Sequence, residues 1–418
     1  MLLSSFWTFP LSIIMILRSG EKTIHLFPPK PKSMDNFKGN IISKLPQTGT
    51  SVFAVMSGMA KEHKAVNLSQ GFPDFPISEE LIDKVHHYMK MGFNQYPPMP
   101  GVPELRQAIS KMFIQNHGAN YNPETEITVT AGATQGLYTA ISAFVKPGDE
   151  VIVFEPAYDS YAPAVEVNRG ITKYSKLLFP DFSINWDELP KLITHNTRMI
   201  VINTPHNPTG SVLKEEDLKH LEKLTRGTDI IVLSDEVYEH LIFEGKQHQS
   251  VCRFPELASR SIVVGSFGKT FHATGWKTGF ILAPENLMKE FRKVHQFVVF
   301  AVNTPIQYAI ADYLAKPKNY LSLGKFYQKK RDYFAKAISK SRFKIIPSYG
   351  TYFQLLDYSA ISDEDEMEFA TKLIKEKGIA GIPVSPFYQK KDNNKVLRFC
   401  FAKQEETLKK AGEILCGI

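Results

Sequence analysis

Cysteine is scarce in this chain: the 418 residues contain only Cys252, Cys400 and Cys416. The count is odd, the spacings are long and no Cys-x-x-Cys pair occurs. That pattern excludes a disulfide framework and a zinc ribbon, and it fits a reducing, cytoplasmic setting. Long blocks of lysine or arginine are missing as well. The formal charge of +7 is scattered along the chain, so the basic stripe of a nucleic-acid binder is absent. A mildly basic protein suits small anionic ligands equally well. No internal repeat or low-complexity segment occurs. His206, His240 and His272 have no neighbours at metal-ligand spacing, which argues against a metal site.

Apolar runs long enough to span a bilayer are lacking too. Leu2 to Leu17 is largely apolar but short for a span, and Arg18, Lys22, Lys30 and Lys32 follow it rather than precede it. That order is the reverse of a secretory signal. Residues 1–33 read as an extension outside the fold, with Met34 as an alternative first residue. No membrane partner is expected.

What is present is material for a large folded core. Hydrophobic residues make up 43% and charged residues 22% of the chain, a balance that excludes global disorder and suits two domains. From about Lys61 the pattern is α/β. Short β-branched runs end in turn residues and lead into helical periodicity. Ile127-Thr-Val-Thr130, Glu150-Val-Ile-Val-Phe154, Arg198-Met-Ile-Val-Ile-Asn203, Ile230-Ile-Val-Leu-Ser234 and Ile262-Val-Val-Gly265 read as strands. Their nearly continuous apolar character predicts a mostly parallel central sheet covered by helices on both faces. After about Thr304 the texture changes to long helices broken near Pro317. Strands follow at Phe343–Ile346, Tyr352–Leu356 and Val396–Phe401, with a helix from Glu366 to Lys377 and a closing helix from Glu405. This predicts a large domain over 61–304 and a smaller α+β domain formed by 34–60 and 305–418.

Polar residues gather just past the carboxyl ends of the predicted strands, where open α/β sheets bind ligands. Ala133, Asn207, Asp235 and Lys269 fall along one such rim. A desolvated lysine such as Lys269 has a lowered pKa and forms Schiff bases with aldehydes, although a single lysine by itself reads as an ordinary surface residue. Alone, Asp235 reads as the N-cap of a helix over Glu236–Glu239, with Tyr238 three residues on along the same face. Asn207 reads alone as a turn former before Pro208, and Tyr158 as an ordinary aromatic. Ala131-Gly-Ala-Thr-Gln135 opens a helix directly after a strand, so the free backbone N–H groups at Ala133 and Thr134 suit an anion. Arg398 sits between apolar neighbours in a predicted strand; either an internal salt bridge or an anionic ligand satisfies it.

Ser266-Phe-Gly-Lys269 followed by Thr274-Gly-Trp-Lys277 resembles the cofactor-lysine motif of class I/II aminotransferases that use pyridoxal 5′-phosphate (PLP). The resemblance extends from about Asp35 to the C-terminus. It runs in order through Gly71-Phe-Pro-Asp-Phe75, Asn94-Gln-Tyr-Pro-Pro98, Ala131–Gln135, Tyr158-Asp-Ser-Tyr161, Asn203-Thr-Pro-His-Asn-Pro208, Ser234-Asp-Glu-Val-Tyr238 and Arg398-Phe-Cys-Phe401. The similarity is greatest to the kynurenine- and methionine-aminotransferase branch, and the whole pattern, including Thr204-Pro-His-Asn-Pro208 and Phe401-Ala-Lys403, is most similar to bacterial methionine aminotransferases. Phe300-Ala301 departs from kynurenine enzymes, which carry histidine after the matching phenylalanine.

The resemblance implies PLP-dependent transferase fold type I and a ping-pong exchange of an amino group between an amino acid and a 2-oxo acid. It implies that Lys269 holds PLP, Asp235 pairs with the pyridine nitrogen, and Tyr238 and Asn207 donate to the phenolic oxygen. Tyr158 stacks on the ring. Ala133, Thr134, Ser266 and Lys277 hold the phosphate, with Tyr96 reaching the phosphate of the neighbouring subunit of a homodimer. Lys277 stands where many relatives carry arginine. Arg398, Gly71 and Asn207 bind substrate, Arg398 gripping the carboxylate through two parallel hydrogen bonds. Phe72, Phe300, Tyr352 and Phe353 suggest an apolar side-chain pocket that favours methionine and aromatic donors. A cysteine-S-conjugate β-lyase would use the same lysine and aspartate. A non-catalytic regulator on this fold would need an N-terminal DNA-binding domain, for which residues 1–60 are too short.

Overall fold

The computed structural model describes residues 34–418; the expected extension at 1–33 lies outside them. Residues 45–418 form one compact unit. Its strands, in chain order, are β1 (Val66–Asn67), β2 (Ile127–Thr130), β3 (Glu150–Glu155), β4 (Ile171–Lys176), β5 (Thr197–Asn203), β6 (Ile231–Asp235), β7 (Ser261–Ser266), β8 (Gly279–Leu282), β9 (Lys344–Ile346), β10 (Phe353–Asp357), β11 (Ile379–Ala380), β12 (Ile382–Pro383) and β13 (Val396–Cys400).

The central sheet has seven strands in the order β2-β8-β7-β6-β5-β3-β4. Pairing is parallel from β7 through β4, and β8 alone runs against its neighbours β2 and β7. The connection from β7 to β8 explains the reversal. It spans 267–278 and holds only the short helices Phe267–Thr270 and Thr274–Trp276, neither of them a full crossover helix, so the chain folds back beside the strand it left. Lys269 rides on that connection.

Alternate residues of each central strand face opposite sides. Val232 and Val263 join one core with Ile152 and Ile200, while Ile231, Leu233, Ile262 and Val264 join the other with Val151 and Val201. Each fully buried aliphatic side chain contributes about 1.5–3 kcal/mol, and burial on both faces produces the continuous apolar runs read from the sequence. Two strands of this sheet escaped that reading. β4, Ile171-Thr-Lys-Tyr-Ser-Lys176, is an edge strand with mostly half-buried or exposed side chains, and its two lysines are the kind of charge that protects an open edge. β8 follows directly on the motif around Lys269.

The second sheet has four antiparallel strands in the order β12-β13-β10-β9. β13 is interior, which buries Arg398 between Leu355 and Ile382 in the register. The helix expected from Pro305 is interrupted at Pro317 and appears as Thr304–Leu314, Lys318–Leu321 and Leu323–Ala337. Among the described residues no helix is long and apolar enough to cross a membrane.

One expectation fails close to the rim. The segment after Asp235 is not a helix: Val237–His240 is a turn. The side chain of Glu236 decides this. It accepts hydrogen bonds from Ser234 Oγ at 2.7 Å and from the Val251 N–H at 3.2 Å, and it lies 2.7 Å from His248 Nε2. The Glu236 N–H meanwhile stays paired to Val264 in β7 at 2.9 Å. These tertiary bonds override the local helical propensity.

Candidate active site

At the carboxyl ends of β5, β6 and β7 the fold leaves a cavity of about 190 Å³. Its lining includes Ala133, Thr134, Tyr158, Asn207, Asp235, Tyr238, Ser266, Lys269 and Lys277. Nine residues singled out in the sequence thus converge on one space. Gly71 and Arg398 reach it through hydrogen bonds to members of that wall. Tyr96 does not reach it; it is 81% exposed and edge-on to Phe300.

Asp235 ends β6 and is buried. Burial pushes its carboxyl up to about 6, while a hydrogen bond from Tyr161 Oη opposes the shift. That bond is 2.6 Å long to Oδ2, and Oδ1 accepts the Val237 N–H at 3.3 Å. Asp235 therefore forms a local turn rather than a helix cap. Tyr161 was missed in the sequence. Its signal was present, three residues after Tyr158 at the start of the helix Tyr161–Val167.

Lys269 sits on the short helix Phe267–Thr270, which is capped by Ser266 Oγ accepting the Lys269 N–H at 3.3 Å. Because Ser266 accepts there, its hydroxyl proton is free to be donated. Burial lowers the Lys269 amine to about 8, so an appreciable fraction is uncharged near neutral pH. Its Nζ donates to Tyr352 Oη at 2.9 Å and to Gly71 O at 3.4 Å.

The helix Ala133–Phe144 starts at the cavity wall, with Gly132 at its N-cap in a positive-φ conformation (φ 81°). A Cβ on Gly132 would meet Lys277 Cε at 3.3 Å and Nζ at 3.4 Å. The Lys277 ammonium and the unpaired N–H groups of the first helical turn therefore face one place, a combination suited to a phosphate-sized anion. Tyr158 also lies here, its hydroxyl 3.5 Å from Thr134 Oγ1.

Arg398 is buried, and its guanidinium lies 3.8 Å from the centroid of the Phe353 ring. Nη1 donates to Asn207 Oδ1 at 2.6 Å and Nη2 to Ser69 O at 3.3 Å, and Nε has no partner among the described residues. These acceptors are neutral, so the internal salt bridge left open by the sequence is not what holds Arg398. Asp159 acts on it only from beyond ion-pair distance, and the orphaned N–H favours an anionic ligand. Asn207 spends its carbonyl oxygen on Arg398, which leaves its amide N–H groups to point elsewhere.

The four aromatics expected to line the side-chain pocket are divided between buried and exposed positions. Phe353 is committed to the guanidinium, Tyr352 is buried at the lysine, and Phe72 and Phe300 are 42% and 56% exposed. The histidines have other partners. His206 Nδ1 lies 2.7 Å from Thr209 Oγ1, and His272 Nδ1 lies 2.8 Å from Tyr327 Oη. His240 lies beside Glu239. No group of three or more His, Cys, Asp or Glu residues among the described residues has metal-holding geometry.

A buried lysine with a lowered pKa, a buried aspartate across the same cavity, an anion cradle and a buried arginine with one N–H to spare suit amine chemistry on small anionic molecules. Residues 63–415 match the family Aminotransferase class I and II, and the chain belongs to that family: it is an aminotransferase. It is 48% identical to the methionine aminotransferase of Escherichia coli K12 over 374 residues, covering 89% of this chain and 97% of that one. It is 34% identical to human kynurenine–oxoglutarate transaminase 1, covering 85% of this chain and 93% of the relative. Among solved structures, an Escherichia coli protein identified as a methionine aminotransferase superposes with a TM-score of 0.89 at 47% identity, covering 91% of this chain and all (100%) of that one. The aspartate aminotransferase of Thermus thermophilus with maleate gives 0.83 at 28% identity, covering 91% and 100%. The expected fold type I architecture is the one observed.

Proposed function

We propose that this chain transfers the amino group of an apolar L-amino acid, methionine-like or aromatic, to a 2-oxo acid, with pyridoxal 5′-phosphate held on Lys269. The observation that carries the reading is Arg398, a buried guanidinium with neutral partners and one unpaired N–H, tied through Asn207 to the cavity that holds Lys269 and Asp235. The similarity to methionine and kynurenine aminotransferases supports the donor class.

The residues present fit the cofactor. A carboxylate that burial resists ionising suits a cationic pyridine nitrogen, and the cradle at Gly132 and Lys277 suits a phosphate. Bound PLP supplies an aldehyde that links covalently to amines and a protonated ring that withdraws electrons from the substrate's α carbon. The chain does the rest. Asp235 would keep the ring nitrogen protonated, and Tyr161 holds Asp235 in place. Tyr238 and the Asn207 amide would donate to the phenolic oxygen, and Tyr158 would lie against the ring. The N–H groups of Ala133 and Thr134, the Ser266 hydroxyl and Lys277 would hold the phosphate. Arg398 and the Gly71 backbone orient the substrate carboxylate. Once the substrate's amino group had replaced Lys269 on the aldehyde, the freed Nζ, neutral in an appreciable fraction, would take the α-proton and later return it within the same cavity.

We also propose a homodimer in which Tyr96 of one copy reaches the phosphate of the other. The exposed aromatics Tyr96, Phe297 (87%) and Phe300 support an interface there. The division into 61–304 and 34–60 with 305–418 is part of this reading, each part carrying its own main sheet, and so is a cytoplasmic setting, which suits the free thiols. The test is a panel of amino acids and 2-oxo acids with wild type and Arg398→Gln. Methionine or an aromatic donor should lead the panel. The variant should raise KM for every donor by about 30-fold or more, the loss of a buried charged hydrogen-bond pair. Unchanged KM would place the carboxylate elsewhere.

A further inference from the structure

Tyr352 comes to the lysine from outside the central sheet. It directly precedes β10, and the chain is fixed on both sides of it. The Thr351 N–H donates to Leu241 O at 3.1 Å, and the Tyr352 carbonyl accepts the Phe401 N–H at 2.9 Å. Its ring is fully buried, edge-on to Tyr238 at 5.2 Å and to Phe353 at 4.8 Å between centroids. The hydroxyl therefore has little freedom of place.

Its protons can be assigned by elimination. A phenol carries one O–H, and a backbone carbonyl only accepts. Tyr352 Oη also shares a hydrogen bond with the Tyr238 side chain, but its short contact, 2.5 Å to Gly71 O, is to an atom that can only accept, so its proton goes there and Tyr238 donates to it. The 2.9 Å contact with Lys269 Nζ must then run the other way, with the amine donating. The second weak contact of Nζ, 3.4 Å to Gly71 O, lies on the same side. Burial raises the phenol well above its ordinary value, so it stays protonated and does not act as a base. A neutral amine has two N–H bonds and one lone pair. With both N–H bonds drawn toward Tyr352 and Gly71, the lone pair is left facing the cavity.

We propose that Tyr352 is a positioning residue for Lys269: its hydroxyl, fixed by the Gly71 carbonyl, accepts an N–H of the amine and so aims the amine's lone pair into the cavity. The inference rests on the reading of Lys269 as the cofactor-linked, proton-carrying lysine. It also links that amine to Gly71, the residue assigned above to the substrate carboxylate, through one shared carbonyl.

The test is Tyr352→Phe, which keeps the ring and deletes the acceptor. In the full-length chain before cofactor is added, trace acetylation of Lys269 is followed across pH by peptide mass spectrometry. An acceptor stabilises an ammonium more than an amine, so its loss should lower the Lys269 midpoint by about one pH unit. In the holoenzyme the amino-acid half-reaction should slow about tenfold or more, with KM changed less than about threefold, the mark of lost orientation rather than lost binding. Tyr327→Phe is the control. That hydroxyl belongs to the same aromatic cluster but bonds to His272, and its loss should leave the Lys269 midpoint unmoved. If Tyr352→Phe does not fold, 3,5-difluorotyrosine at position 352, a weaker acceptor of the same shape, should move the midpoint in the same direction by less. An unmoved midpoint in the folded variant overturns the proposal. An adduct mapped away from Lys269 would instead refute the cofactor assignment, and the titration, read without cofactor, is independent of it.

Discussion

Replacing Tyr161 with phenylalanine should make the stability of the cofactor-free protein more pH-dependent. Tyr161 Oη donates to Asp235 Oδ2 at 2.6 Å, and both groups are buried. In the unfolded chain Asp235 titrates at about 3.9; in the folded chain burial moves it to about 6. A raised folded-state pKa means that folding favours the protonated acid. That contribution is complete below about pH 4 and is lost as pH rises through about pH 6. A hydrogen bond to a charged acceptor is worth about 1.5–3 kcal/mol and one to a neutral acceptor about 0.5–1.5. Deleting the hydroxyl should therefore cost about 1 kcal/mol at pH 4, where Asp235 is neutral, and about 2 kcal/mol at pH 8.5, where it is charged. The difference corresponds to a carboxyl raised by about a further 0.7 of a unit. Urea unfolding of wild type and Tyr161→Phe at the two pH values measures it. An equal cost at both would show that Tyr161 does not act on the ionised form of Asp235.

Further substitutions probe other parts of the site. Gly71→Ala should destabilise by about 1–3 kcal/mol in thermal unfolding, the usual cost of overpacking, because the added Cβ would lie 2.7 Å from the Phe353 ring. Unchanged stability would mean that the ring moves freely. Tyr96→Phe should weaken cofactor retention on dialysis. Mixing it with Lys269→Ala should restore one competent site per mixed dimer, and no restoration would place Tyr96 outside the partner's site.

Much of the rim was legible because its signals are local. β3, β5, β6 and β7 are buried on both faces and therefore read as apolar runs, and the residues just after them fall at one edge of a parallel sheet. β4 was hidden because an edge strand keeps lysines and half-exposed side chains. β8 was hidden because it begins two residues after Lys277, so its start merges with the motif around Lys269. The turn at Val237–His240 was misread because the bonds that set it come from His248 and Val251, well along the chain. Arg398 and Asn207 are 191 residues apart, so the sequence left the partner of the arginine open. The packing of Phe353 on the Arg398 guanidinium was hidden for a related reason, since the two residues come from separate strands.

The most direct measurement is borohydride reduction of the PLP-saturated protein, followed by peptide mass spectrometry. The account predicts one pyridoxyl group per chain, on the peptide containing Lys269, and none in Lys269→Ala. A modified peptide elsewhere, or none at saturating cofactor, would contradict it.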